Sequence, residues 1–294
     1  MIALLNGRFL PEEQALISVL DRGFLYGDGV FETIRVHAAH PFRWGQHLER
    51  LLRGAAFLRL RVPCTAEQLR AFADELIRIN RLSQGLIRVT LSRGVGQRGY
   101  SPQGANTPTL VMVPFPEVSA AGGTRPRWRL RTSTCRVAAP DPLAGFNTSN
   151  KLRQVLARAE AEDSGADDGL LLTAEGHVAE TTSANVFWVL NGAVSTTPSS
   201  AGVLPGVTRA AVLELCSALG IPTSEDLITL EALREADGVF VTLASLGVVE
   251  VVELDGQPLR QSPLTTQMRQ AYEAALEREC RPTGPPAPST APPG

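Results

Sequence analysis

The stretch AGFNTSNKLRQVLARAEA, residues 144–161, contains the only lysine of the chain, Lys151, while the rest of its 28 basic side chains are arginine. A guanidinium serves wherever only a positive charge is wanted, yet it never deprotonates and cannot condense with a carbonyl. A single retained primary amine therefore points to amine chemistry, set against the plainer reading of a solvated lysine on a helix surface. In EGHVAETTSANVFWV, Glu180 stands in a strand among small and hydroxylated residues. It is either a solvated strand residue or an acid able to hold a proton on a ring nitrogen. In AGVLPGVTRAAVLELC a glycine-containing loop leads to Thr208 at a helix start, where free N–H groups, the helix dipole and a hydroxyl together make an anion site. Many such starts are only caps. DRGFLYGDGVFETIRV lacks the phosphate-loop pattern and by itself reads as turn and strand.

These residues need elements to position them. The chain has 294 residues, 44% hydrophobic and 20% charged, enough for two packed domains or one large one. A net charge of −2 offers no electrostatic reason for a nucleic-acid or anionic-membrane partner. Cys64, Cys135, Cys216 and Cys280 are far apart and show no zinc-ligand spacing, so reduced, buried thiols are expected, with no metal site. No apolar run reaches membrane-spanning length, and MIALLNGRFL is too short an apolar run for a leader, which together predict a cytoplasmic protein.

Helical periodicity appears at Leu48, Leu51, Leu52 and Ala55, and again at Leu69, Phe72, Ala73 and Leu76. Ile87, Val89 and Leu91 alternate with polar residues as a half-buried strand running into a glycine-rich loop, and TPTLVMVPFP reads as another strand. PEVSAAGGTRPR is the best interdomain connection. Beyond it RWRLRTSTCRV alternates as a strand, Leu152, Val155, Leu156 and Ala159 mark a helix with Lys151 in its first turn, and strands follow around an Asn191-Gly192 hairpin turn. The expected division is a small domain over 1–115, a linker over 116–126, a larger domain over 127–280 and a disordered proline-rich tail over 281–294.

Taken in order, D-R-G-x-x-Y-G-D-G-x-F-E, HLERL, SRGVGQRGYSP, N-x-L-x-x-V-L-A-x-x-E-A, V-x-E-x-x-x-x-N-V-F and G-V-T-R resemble the fold-type IV, or class IV, pyridoxal-phosphate enzymes. That family includes D-amino-acid aminotransferase, branched-chain aminotransferase and aminodeoxychorismate lyase, and the resemblance spans roughly residues 1–280. It implies an α+β fold of two domains, a small N-terminal α/β domain and a larger C-terminal one with a β-barrel-like sheet. It also implies pyridoxal 5′-phosphate bound between the domains, a small-molecule substrate and a homodimer. By position, it assigns Glu180 to the pyridine nitrogen and Arg50, Val207, Thr208 and Ser245 to the phosphate. Phe31 and Arg98 look like substrate-side residues, Arg98 as a bidentate carboxylate clamp.

The pattern departs from the family at its centre. The Schiff-base lysine of the K-x-x-N motif would stand at 147, which is Asn147; Asn150 matches the motif's asparagine, and Lys151 follows it. In one reading the lysine has migrated four residues, about one helical turn, and Lys151 still reaches the cofactor. In another Lys151 is structural, and the protein binds cofactor with little or no catalysis. A third reading makes Asn147 an engineered replacement. The SRGVGQRGYS loop and TTSANVFWV look closest to the lyase, which releases 4-aminobenzoate and pyruvate in the folate pathway. An aminotransferase for D-amino or branched-chain amino acids is the alternative.

Overall fold

The computed structural model describes residues 1–117 and 126–281. Most of the expected linker and tail, 118–125 and 282–294, lies outside the described residues.

The first six strands, β1 (Ile2–Leu5), β2 (Arg8–Pro11), β3 (Gly29–His37), β4 (His40–Pro41), β5 (Gln84–Val95) and β6 (Thr107–Pro116), form one antiparallel sheet in the order β2-β1-β6-β5-β3-β4. A short helix α1 (Arg22–Tyr26) precedes β3, while α2 (Trp44–Phe57) and α3 (Ala66–Ile79) cover one face of the sheet. Their stripes Leu51/Ala55 and Leu69/Ala73/Leu76 pack on Ile34, Ile87, Val89 and Leu91, the side of β5 that the alternation marks as apolar. Thr65 and Gln68 close a reciprocal capping box at the start of α3.

The second sheet comprises β7 (Arg127–Val137), β8 (Asp168–Thr173), β9 (Val178–Thr181), β10 (Asn185–Leu190), β11 (Ala193–Thr196), β12 (Thr223–Glu225), β13 (Gly238–Leu243), β14 (Gly247–Leu254) and β15 (Gln257–Pro258). Because β9 also pairs with β10, the path β10-β13-β14-β7-β8-β9 closes on itself as a six-stranded barrel. Leu130, Leu170, Val186, Val239 and Val251 fill one cluster of this unit. Outside, α5 (Val207–Ala218) and α7 (Pro263–Glu279) pack on the stacked pair Phe187 and Phe240, whose centroids are 5.0 Å apart. Helices α4 (Leu152–Asp163) and α6 (Leu230–Arg234) complete the set. Asn191 and Gly192 both take positive φ, 51° and 78°, as a type I′ turn between β10 and β11 demands. The fold is thus α+β, a sheet with helices joined to a barrel.

Three expectations change. Lys151 is the N-cap of α4, not part of its first turn, and the residues before it are extended: Thr148 bridges Val30, Phe31 N–H donates to the Asn147 carbonyl (2.8 Å), and Ser149 N–H donates to that of Gly29 (2.9 Å). One helical turn therefore does not relate 147 to 151. The apolar stripe of α4 also faces outward, with Leu152 71%, Val155 60% and Leu156 52% exposed, because the helix is seated through the small residues Ala157 and Ala161. Finally, Cys216 and Cys280 are buried as expected, but Cys64 and Cys135 are only half-buried; all four are free.

Candidate active site

A cavity of about 380 Å³ opens where strands β3 and β5 of the first sheet meet the barrel's β9, β13 and the start of α5. Phe31, Arg50, Asn147, Lys151, Glu180, Val207, Thr208 and Ser245, all expected from the sequence, line it together. Arg98 does not: it is exposed in the loop after β5, whose backbone is tied down by Arg22 Nη1 donating to the Gly99 carbonyl (2.8 Å).

Lys151 is half-buried, its Nζ 5.5 Å from the centroid of the Phe31 ring, and no described residue accepts a hydrogen bond from it. Burial lowers its pKa, since a desolvated ammonium is disfavoured; Arg50 and Arg88 push the same way, while Glu180 and Glu32 oppose them. The amine is held toward its neutral, nucleophilic form. Asn147 reaches the same cavity from the extended segment, where residues two and four apart share a side.

Glu180, on β9 opposite Asn185, accepts from the Leu204 N–H (3.0 Å) through one oxygen and borders the cavity. Burial raises its pKa, against that hydrogen bond and the positive charges of Lys151, Arg153 and Arg50. A buried acid in this state is stabilised by a cationic N–H in front of it, which is what a protonated pyridine provides.

Across the cavity, α5 begins at Gly206 without any side-chain cap, leaving the N-terminal N–H groups of Val207 and Thr208 to the cavity. Gly206 is required here, because a Cβ would lie 2.2 Å from Asn185 Oδ1, while Asn185 Nδ2 holds the Leu204 carbonyl (2.7 Å). Arg50 is anchored, not free. Its Nε and Nη2 donate to the two oxygens of buried Glu32 (2.7 Å each), and Nη1 reaches the Pro205 carbonyl (2.8 Å). Burial alone would raise the Glu32 pKa, but hydrogen bonds from Arg50 and His47 outweigh it and hold the carboxyl below its usual range. The N–H groups left over on Arg50 join the helix start as anion donors.

Two residues escape the sequence reading. Arg88, on the polar face of β5, stacks over Phe31 at 3.6 Å and has no acid partner among the described residues; burial lowers its pKa. The alternation showed that face to be polar, but not that the barrel would cover it. Thr242 presents a buried hydroxyl without a hydrogen-bond partner on the cavity wall. An acid for a ring nitrogen, an uncapped helix start with a hydroxyl and a guanidinium, an orphaned hydroxyl and a neutral-leaning amine together suit pyridoxal phosphate.

Residues 29–254 match the family described as amino-transferase class IV. The chain is 36% identical to a putative branched-chain-amino-acid aminotransferase of Methanocaldococcus jannaschii over 86% of its own length and 88% of that protein's. Among solved structures, it is similar to the branched-chain aminotransferase from the archaeon Thermoproteus uzoniensis with norvaline (TM-score 0.87, 30% identity, 95% of each chain). It is also similar to a bacterial branched-chain amino acid aminotransferase with pyridoxamine 5′-phosphate (TM-score 0.88, 31% identity, 96% and 95% of the two chains). A putative 4-amino-4-deoxychorismate lyase from Legionella pneumophila shares the fold as well (TM-score 0.83, 28% identity, 91% and 97%).

Proposed function

Since the chain belongs to the class IV aminotransferase family, whose enzymes use pyridoxal phosphate, we propose that it is an amino-acid aminotransferase in which Lys151 supplies the reacting amine in place of residue 147. The observation that carries this reading is the position of the chain's one primary side-chain amine, inside the cavity with Glu180, Arg50 and Thr208.

When bound, the cofactor supplies an aldehyde carbon to hold the substrate's nitrogen and a ring that accepts the electrons of a broken Cα–H bond. Glu180 keeps a proton at the ring nitrogen. The start of α5, the Thr208 hydroxyl and the remaining N–H groups of Arg50 hold the phosphate, with Ser245 beside them. Lys151, neutral through burial, attacks the aldehyde carbon and later takes the Cα proton on Nζ. Arg88, unpaired and flat on Phe31, receives the substrate carboxylate as a fork.

Arg88 also favours transfer over lysis. Aminodeoxychorismate carries two carboxylates, whereas the cavity wall has one guanidinium free of an acid, Arg50 being committed to Glu32. The lyase is the second reading, favoured by the similarity to the Legionella protein. In either case the enzyme acts in the cytoplasm, where its four free thiols stay reduced.

Borohydride reduction of the loaded protein followed by peptide mapping tests the amine: label on the peptide containing Lys151 is expected, and Lys151→Ala should lose the label and about 10²–10⁴-fold in rate. Bound cofactor that leaves Lys151 unmodified would overturn the reading. Transfer from leucine or D-alanine to 2-oxoglutarate should exceed 4-aminobenzoate release; the reverse would establish the lyase.

A further inference from the structure

A second cavity, of about 270 Å³, lies behind the first. Four residues border both, Lys151, Gln154, Glu180 and Leu204, and so form the wall between them. The rear cavity reaches the surface beside Leu143, Asn150 and Arg153, all exposed. Asn147 borders only the front cavity. The move of the lysine from 147 to 151 therefore changes what its amine can reach: position 151 stands in the partition, position 147 does not.

We propose that the rear cavity is the route by which Lys151 exchanges protons with solvent while cofactor and substrate fill the front one. This rests on Lys151 being the reacting amine. A neutral Nζ that takes a proton from Cα becomes an ammonium with three N–H bonds. If it is sealed from water, it can only hand back one of the three hydrogens it holds. Contact with rear-cavity water lets it release one hydrogen as a proton and regain a solvent proton, with no net change in charge. The rear space has room for several waters at ~30 Å³ each. Gln154, in the partition, has no hydrogen-bond partner among the described residues, so its amide is free to order such water from the same side as Nζ.

The test blocks the rear cavity without touching the front. Ala144 and Arg153 line only the rear space, so Ala144→Trp and Arg153→Trp narrow it while leaving the cofactor's contacts in place. With holoenzyme and an amino acid deuterated at Cα, the fraction of deuterium delivered to the aminated cofactor in a single half-reaction is read by mass spectrometry. Wild type is expected to lose most of the label to water and each variant to retain several-fold more. A readout independent of turnover uses the chain's single lysine. After borohydride fixes the cofactor to Lys151, ¹⁵N-lysine labelling gives one resonance, whose N–H exchange should slow by at least about tenfold in Ala144→Trp. Equal label retention and equal exchange in wild type and both variants would overturn the route. Failure of borohydride to modify Lys151 would instead overturn the reading beneath it, so the two failures are distinct.

Discussion

Asn147 and Lys151 show how much one side chain's chemistry depends on its surroundings. A lysine in water is an ammonium; in this cavity burial, with Arg50 and Arg88 adding to it and Glu180 and Glu32 opposing, moves Lys151 toward the amine. The sign follows directly: a lowered pKa widens the pH range over which Nζ is neutral, so condensation with an aldehyde should persist to lower pH than for a free lysine and fall away as pH drops through the lowered value. Titration of the single lysine by NMR should give a midpoint below the ordinary 10.5. Arg88→Gln should shift that midpoint upward and, by removing the carboxylate's partner, raise KM by about 10- to 100-fold with a smaller effect on kcat. A midpoint that does not move would mean that Arg88 exerts no field at Nζ.

At the scale of elements, the start of α5 acts as a unit. Its uncapped N–H groups, Thr208 and the turn through Gly206 are held by Asn185, and the turn leaves no room for a side chain at 206. Gly206→Ala should displace Asn185 or the helix start and weaken cofactor binding by at least about tenfold, or about 1.4 kcal/mol, measured by titrating pyridoxal phosphate into the apoprotein. Unchanged affinity would show that the phosphate does not use this helix. The extended segment before α4 is the second decisive element. It pairs with β3 at Thr148 and Val30, which carries both Asn147 and Lys151 to the cavity by strand geometry, where helical spacing would have served only if α4 began earlier.

For the whole molecule, the cavity exists because two sheets meet there. Arg50 on α2 reaches the Pro205 carbonyl, and Arg35 on β3 reaches that of Ser245 (2.9 Å), so contacts from the first sheet's unit clamp the barrel loops that hold the phosphate. On the outside, Leu152, Val155 and Leu156 of α4, together with Val19, Leu20 and Phe24, leave large apolar side chains in water. A second copy of the chain is the proposed cover. Sedimentation at micromolar concentration should give twice the 31.5 kDa of one chain, and Leu156→Glu should favour the monomer. A wild-type monomer at that concentration would refute it.

The elements were legible because helices and strands write their periods into the sequence: α2, α3, β5 and the Asn191-Gly192 hairpin follow from spacing that one buried face imposes. Glu180, Thr208 and Lys151 were legible as chemistry because so few residue types can hold a ring proton, cradle a phosphate or condense with an aldehyde. Arg88, Thr242 and the outward stripe of α4 were not, since a polar or apolar pattern shows that a face is distinct but not what comes to cover it. Whether Lys151 faced the cavity was likewise undecided in one dimension. Only the pairing of its segment with β3, a contact between residues more than a hundred positions apart, turned that amine inward.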